Sequence, residues 1–326
     1  DFVAQGYALV DLQRLIAGQA AIGTITARAT AQQLAIARET LAIQQDNLQI
    51  ARWRNQAGLV SSLDVEQARS QRAQTAATIP ALEASLAASA HALSTMAGEP
   101  PGRVLAALQQ QAAAVPVPPA TAGFTPPAEV LHRRPDVRSA EAALFASTAR
   151  IGVARAQMLP LVRLTGNIGT GPDSLGNLFD LVSGNLLASI SQLIFDGGRT
   201  QAGIDEAEAA AHVAVIDWED AILLALEEVE TASAQRRSAD QRVDINAEAV
   251  DAATNSALLA RSQYQAGLTD FRNLLTAESQ LLNARNQQLD ARADRAIAFV
   301  RLTQALGGGW NQNEFDFPLP VSDRND

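Results

Sequence analysis

The chain has 326 residues, 47% hydrophobic and 18% charged, the composition of a folded protein rather than a disordered one. All 25 basic residues are arginine against 35 acidic ones, and a net charge of -10 offers nucleic acid no broad basic surface, which argues against DNA or RNA binding. The absence of cysteine excludes disulfides, thiolate metal sites and cysteine nucleophiles, and the absence of lysine excludes a Walker phosphate loop. Aromatics make up only 4% and alanine supplies much of the apolar count, so contacts between helices through small side chains are expected. No stretch reaches the roughly 18 apolar residues of a spanning helix, and the N-terminus lacks a basic region or signal core.

In chain order, residues 1–98 read as a helical hairpin turning near Gly58, with Ile79, Leu82, Leu86 and Leu93 at coiled-coil-like spacing. Residues 99–127, rich in proline and alanine, read as a linker, and 128–159 as a helix. Residues 160–196 change to a period of two and read as a strand hairpin. Residues 197–306 form a second helical hairpin turning near Gly267, and 307–326 a C-terminal tail. In the second hairpin Ile204, Ala207, Ala211, Val215, Trp218, Ile222, Ala225 and Val229 recur in steps of three and four, as in a packed helix. A weaker line through Ala210, Ala214, Ala221 and Leu224 suggests a second neighbour on the other flank. After Gly267 the pattern resumes at Phe271, Leu275, Leu282, Leu289 and Ala296.

The two hairpins are related. An offset of 209 lays Ala51, Arg52, Gln56, Ala57, Gly58, Leu59, Ala68, Gln71, Leu93 and Gly98 on Ala260, Arg261, Gln265, Ala266, Gly267, Leu268, Ala277, Gln280, Leu302 and Gly307 without a gap. A duplicated helical hairpin follows. At each tip a glycine suits the left-handed position that ends a helix, and Ser61 or its counterpart Asp270 can cap the next one. The 69 residues from Gly198 to Ala266 span ~104 Å as a helix and the 40 after the tip ~60 Å, too extended for a compact globule. The same offset puts the first half's strand hairpin before residue 1, so the sequence is expected to begin mid-helix and to lack that hairpin and any signal or lipid-anchor segment.

In the strand region Val162, Leu164 and Ile168 face one way and Arg163, Thr165 and Asn167 the other. A returning strand is expected near Leu186 to Phe195, with Leu186, Ala188 and Ile190 opposed to Ser189 and Ser191, and Leu187 and Gln192 out of phase. Thr170 to Asn177 is rich in turn formers. A soluble hairpin packed on a helix fits this alternation. So does a membrane strand pair, since each strand is near the nine to eleven residues that cross a bilayer at a tilt. Two strands in lipid leave unpaired edges, so the second case requires a barrel completed by other segments or subunits.

The run Arg133-Arg134-Pro135-Asp136, followed by Ala140-Glu141, resembles the RRPD-x-x-x-AE signature of outer-membrane efflux channels of the TolC-like, NodT-type class. The resemblance continues through Ile151-Gly152-Val153-Ala154-Arg155-Ala156, Leu159-Pro160, Leu164-Thr165-Gly166 and Phe195-Asp196-Gly197-Gly198-Arg199, over nearly the whole chain. Taken alone, Arg133 to Asp136 also fits an ordinary helix start with proline in the first turn.

The resemblance implies a mainly α fold in which long antiparallel hairpins form an α-barrel, with a β-hairpin contributed to an oligomeric β-barrel in the outer membrane. It implies a homotrimer, a periplasmic tunnel, and docking of a periplasmic adaptor and an inner-membrane transporter at the tips Gly58-Leu59 and Gly267-Leu268. It places Asp64 and Tyr264 at closing contacts of the gate, with Asp270, Asn273 and Thr276 nearby. Thr269 stands where the TolC type has an arginine, and Asn273 and Thr276 where it has the aspartates of an acidic ring, so the resemblance does not carry that ring over to these positions. Asp270 could supply threefold negative charge, or simply cap a helix.

No enzymatic constellation stands out. His91, His132 and His212 are far apart and outside any ligand spacing, the glycines at 166, 169, 171 and 176 fit a strand and turn, and the acids at 205–208 and 227–230 fit solvated or tunnel-facing helix surface. No metal or cofactor is expected. The rival reading is a soluble coiled-coil scaffold or periplasmic adaptor, which would use the same heptads but has no need for a two-faced strand pair.

Overall fold

A computed structural model of the chain describes residues 1–110, 114–119, 132–170 and 182–311. They form α1 (Phe2–Gln56), α2 (Ser62–Met96), α3 (Arg103–Gln110), α4 (Pro135–Ala156), β1 (Leu161–Thr170), β2 (Val182–Ser191), α5 (Arg199–Gln265) and α6 (Phe271–Ala305). The fold is mainly helical, with long antiparallel helices and one β-hairpin. The expected turn after Thr170, most of the second half of the linker and the tail beyond 311 lie outside the described residues. Within the linker the structure adds α3, whose Val104, Leu105 and Leu108 pack on Leu86 and Leu93.

The 209-residue offset extends to the hydrogen bonds. Helices α2 and α6 are both 35 residues long, and their first and last residues differ by that offset. Each preceding helix ends on a left-handed glycine, Gly58 at φ 73° and Gly267 at φ 74°, with the next amide reaching back: Leu59 N to Arg54 O at 2.8 Å, Leu268 N to Gln263 O at 2.8 Å. Helices α2 and α6 end the same way on Gly98 and Gly307, at φ 68° and 74°. The two sites differ in surroundings. A Cβ at Gly98 would meet nothing within 4 Å, whereas one at Gly307 would lie 3.0 Å from the Arg133 backbone. Gly98→Ala is therefore expected to cost about 1 kcal/mol for the backbone alone, and Gly307→Ala at least twice that. Denaturant unfolding of the two variants checks this, and equal losses would contradict it.

The chain divides into two compact units, one built from Asp1–Ala8 and Asp136–Leu223, the other from Leu9–Pro135 and Leu224–Phe315. Pro135 opens α4, where a missing N–H costs nothing; the rest of α4 belongs to the first unit. Ser139 Oγ donates to Ala4 O at 3.0 Å, Arg150 pairs with Asp1 and the Arg138 guanidinium lies over the ring of buried Tyr7, which fixes the start of α1 on α4. The passage from β2 to α5 is made by Gly197 and Gly198, both at positive φ, and by Asp196. Its carboxylate accepts from Gly198 N at 2.9 Å and Thr200 N at 2.7 Å. Hydrogen bonds from the Thr200 hydroxyl and then from these amides hold it below the usual aspartate value. That capping contribution is present above the free aspartate value and is lost as pH falls through the lowered one.

In the second unit α1 packs on both α2 and α6, and α6 on α5, as the cross-links show, while α2 also reaches α6 and the end of α1 reaches α5. Helix α1 pairs with α2 through Arg38–Glu83, with α6 through Gln33–Asp290 and Arg285–Glu39, and α6 with α5 through Arg242–Asp294 and Arg261–Glu278. Between α1 and α6, and between α6 and α5, partner numbers fall along one helix as they rise along the other, so both pairs are antiparallel. The heptad line of α5 is buried or half-buried throughout, and Ile79, Leu82, Leu86 and Leu93 of α2 join one apolar cluster. The weaker line on α5 is only partly covered: Ala210 and Leu224 are exposed.

Candidate functional site

The tip of the second hairpin is organised around Tyr264, one turn before the Gly267 reversal and only 2% exposed. Its ring packs with Leu48, Ala51, Ala68, Phe271 and Leu274, its centroid 5.3 Å from that of Phe271. The Arg54 guanidinium lies over the same ring, 4.6 Å from its centroid, and Nη1 donates to the Tyr264 carbonyl. Arg54 thus ties the end of α1 to the end of α5, where a cation also meets the negative end of the helix dipole. Burial pushes the Tyr264 hydroxyl above its ordinary pKa; Arg54 partly offsets this, and the charge of Asp64 adds to it. The hydroxyl has no hydrogen-bond partner among the described residues.

Of the gate residues expected from the sequence, Asp64 and Tyr264 are therefore close enough to interact electrostatically. Asp64 lies in the first turn of α2, its Oδ1 3.5 Å from Ser61 Oγ. The capping expectation holds at one tip and not the other. Asp270 Oδ1 accepts from Asn273 N at 2.9 Å, whereas Ser61 makes no side-chain cap bond and its hydroxyl turns to Asp64 instead. Asn273 Nδ2 donates to Thr269 and Thr276 Oγ1 to Arg272 O, both within α6 and its cap. Gly58, Leu59, Gly267 and Leu268 all lie exposed at the two tips.

A buried polar cluster about three turns from the tip was not anticipated. Glu278 of α6, 9% exposed, accepts from Asn47 Nδ2 of α1 at 2.8 Å on both oxygens and from Arg261 Nη2 of α5 at 2.9 Å. The signal was present in the heptad: Leu275 and Leu282 are apolar and the stripe position between them is a glutamate. Arg54 was missed as well, because a lone arginine four residues before a turn glycine has no distinctive spacing.

The register of the ribbon gives it two unlike faces. Val162 pairs with Ile190, Leu164 with Ala188, Gly166 with Leu186 and Ile168 with Gly184, all on one side. The other side carries Leu161–Ser191, Arg163–Ser189, Thr165–Leu187 and Asn167–Asn185. The oily side is uncovered among the described residues, Ile168 being 83% exposed. Strand β2 spans Val182–Ser191, earlier than the expected Leu186 to Phe195. Its pairing stops because Pro160 opposite Gln192 has no N–H to give, and the Gln192 side chain donates to Met158 O at 3.0 Å instead. The ribbon is two-stranded among the described residues, so both outer edges carry unpaired backbone groups.

The signature residues serve packing. Arg134, 2% exposed, donates to Ala305 O at 3.1 Å and pairs with Glu228 at 2.7 Å, while Trp310 Nε1 donates to Arg133 O at 3.0 Å. Pro135 is fully buried and Asp136 lies in the first turn of α4, whose Ala140 and Glu141 follow a turn later. All three histidines are exposed, and no cluster of three or more His, Asp or Glu suited to a metal ion occurs among the described residues. Among the described residues no helix is long and apolar enough to cross a membrane.

Residues 127–308 match the family described as outer membrane efflux protein. The cation efflux system protein CusC of Escherichia coli O6:H1 is 33% identical over 286 residues, 86% of this chain and 61% of that protein. Nodulation protein T of Rhizobium leguminosarum bv. trifolii is 29% identical over 308 residues, 94% of this chain and 66% of that one. The chain thus spans somewhat less than two thirds of the length of these relatives. Among solved structures, the outer-membrane channel OprN superposes with a TM-score of 0.83 at 31% identity, over 94% of this chain and 70% of that one. With more than half of its length matched by the family and its fold shared with a solved channel, the chain belongs to the outer membrane efflux protein family.

Proposed function

We propose that the full-length protein is the outer-membrane exit duct of a three-part efflux pump, a passive channel for drugs or other small solutes. The observation that carries this reading is the ribbon with one uncovered oily face and two unpaired edges, set between long helices. Such a ribbon is satisfied in lipid only as part of a closed barrel, which calls for strands from other copies of the chain. A homotrimer is the arrangement the family resemblance favours. The helices would then line a tunnel into the periplasm, and the tips at Gly58-Leu59 and Gly267-Leu268 would receive a periplasmic adaptor and, with it, an inner-membrane transporter that supplies the energy. Gating is a closed–open equilibrium biased by that docking.

In this reading the closed state is held at the tip by Tyr264, Arg54 and Asp64, with Asp270, Asn273 and Thr276 keeping the start of α6 in shape. The full-length protein in planar bilayers is expected to form pores without ATP, and Asp64→Ala is expected to raise the single-channel conductance. Pores whose conductance is unchanged by Asp64→Ala would remove that residue from the gate; no pores at all would overturn the duct.

A further inference from the structure

Neither strand of the ribbon contains an aspartate or glutamate, and Arg163 is the one charged residue on either. It stands near the start of β1, directly opposite Ser189, on the face turned away from Val162, Leu164 and Ile190. Its side chain is exposed and makes no ion pair or hydrogen bond among the described residues. The same face offers hydroxyls and amides, at Ser189, Ser191, Thr165, Asn167 and Asn185. Elsewhere in this unit the sign is opposite: from Thr200 to Leu223 helix α5 carries Asp205, Glu206, Asp217, Glu219 and Asp220, all exposed, and no arginine. Arg163 is thus a local positive spot rather than part of a basic surface.

Keeping this face out of lipid does not require a charge. Serine and asparagine do that already at the neighbouring positions, and they fix the register as well. An unpaired guanidinium adds what they lack, a fork of N–H donors that takes a carboxylate or phosphate side by side. Residues paired across two strands have Cβ atoms about 4.5–5.5 Å apart, so the Ser189 hydroxyl can reach the same anion. In a water-filled bore walled by lipid, field lines are focused along the water, and a few fixed charges decide which ions enter.

We propose that Arg163 is an attracting site for anionic solutes, those bearing a carboxylate, sulfonate or phosphate, on the water face of the barrel. The proposal rests on the channel reading above and names the solute class that the barrel favours. In a homotrimer the charge recurs once per copy at one level of the bore. Arg163 acts on solutes in passage and takes no part in the contacts at the helical tips.

The test reads the local potential with a thiol. This chain has no cysteine, so Ser189→Cys in the full-length protein places one beside the guanidinium, with the unsubstituted protein as the blank. In outer-membrane vesicles the thiol is offered a sulfonate-bearing and a trimethylammonium-bearing methanethiosulfonate. The ratio of the anionic to the cationic rate is expected to fall about 3-fold or more when Arg163→Gln is added, and to hold with Arg163→Lys. Any effect of Arg163 on the thiol's own reactivity enters both rates and cancels in the ratio. In planar bilayers under a salt gradient, Arg163→Gln is expected to lower the anion-to-cation permeability ratio by a similar factor, and adding Thr165→Arg to restore it. A rate ratio that Arg163→Gln leaves unchanged, a thiol that neither reagent reaches, or pores whose permeability ratio does not move would overturn the proposal. The labelling needs no conduction, so a protein that forms no pore would count against the duct while the rate ratio still decides the role of Arg163.

Discussion

Leu164→Arg in the full-length protein is expected to block assembly into the outer membrane, while Thr165→Arg, one residue along the same strand, is expected to assemble. The register places Leu164 on the oily face beside Val162 and Ile190, and Thr165 on the face that already holds Arg163. An arginine facing lipid near the bilayer midplane costs about 2–4 kcal/mol, and a threefold assembly bears that cost once per copy. On the other face an added arginine meets water. Fractionation of outer membranes, together with heat-modifiable mobility on gels, reads the difference. Equal assembly of both variants would show that the oily face is not turned to lipid.

The second large effect is at Tyr264. Tyr264→Ala removes a ring packed on Leu48, Ala51, Phe271 and Leu274 and the seat of the Arg54 guanidinium, a loss of about 3–5 kcal/mol at the tip. In the full-length channel it is expected to raise resting conductance. Tyr264→Phe keeps the ring and deletes only a hydroxyl that has no partner among the described residues, so it is expected to leave conductance unchanged and stability equal or slightly higher. The tyrosine also carries a pH signature. Because burial raises its pKa, its contribution is complete below the ordinary tyrosine value and is lost as pH rises through the raised one, and Tyr264→Phe should remove that alkaline sensitivity. If Tyr264→Phe opened the channel as Tyr264→Ala does, the ring packing would not be what holds the tip closed.

Much of this architecture is legible in the residues because it is periodic. The steps of three and four from Ile204 to Val229, the alternation from Val162 to Ile168 and the 209-residue offset each repeat a local rule, so helix, strand and hairpin follow from spacing alone. The tips are legible for a different reason: only glycine takes the left-handed position at Gly58 and Gly267 at no steric cost, and the glycine shows in the sequence. What was hidden depends on which helices become neighbours. Arg54 meets Tyr264, and Asn47 meets Glu278, across more than two hundred residues, a pairing fixed by α1 lying against the second hairpin and invisible to any window along the chain. Ser61 shows the opposite limit. It has the right residue type at the right cap position, yet its hydroxyl prefers the carboxylate of Asp64 three residues on.

The most direct test is the three-dimensional structure of the full-length protein in a lipid nanodisc. Three copies are expected around one axis, with the free edges of β1 and β2 paired to neighbouring strands, the Val162–Leu164–Ile168 face against lipid and a continuous bore within the helices. A single copy whose own helices cover that face, with no bore, would contradict the account.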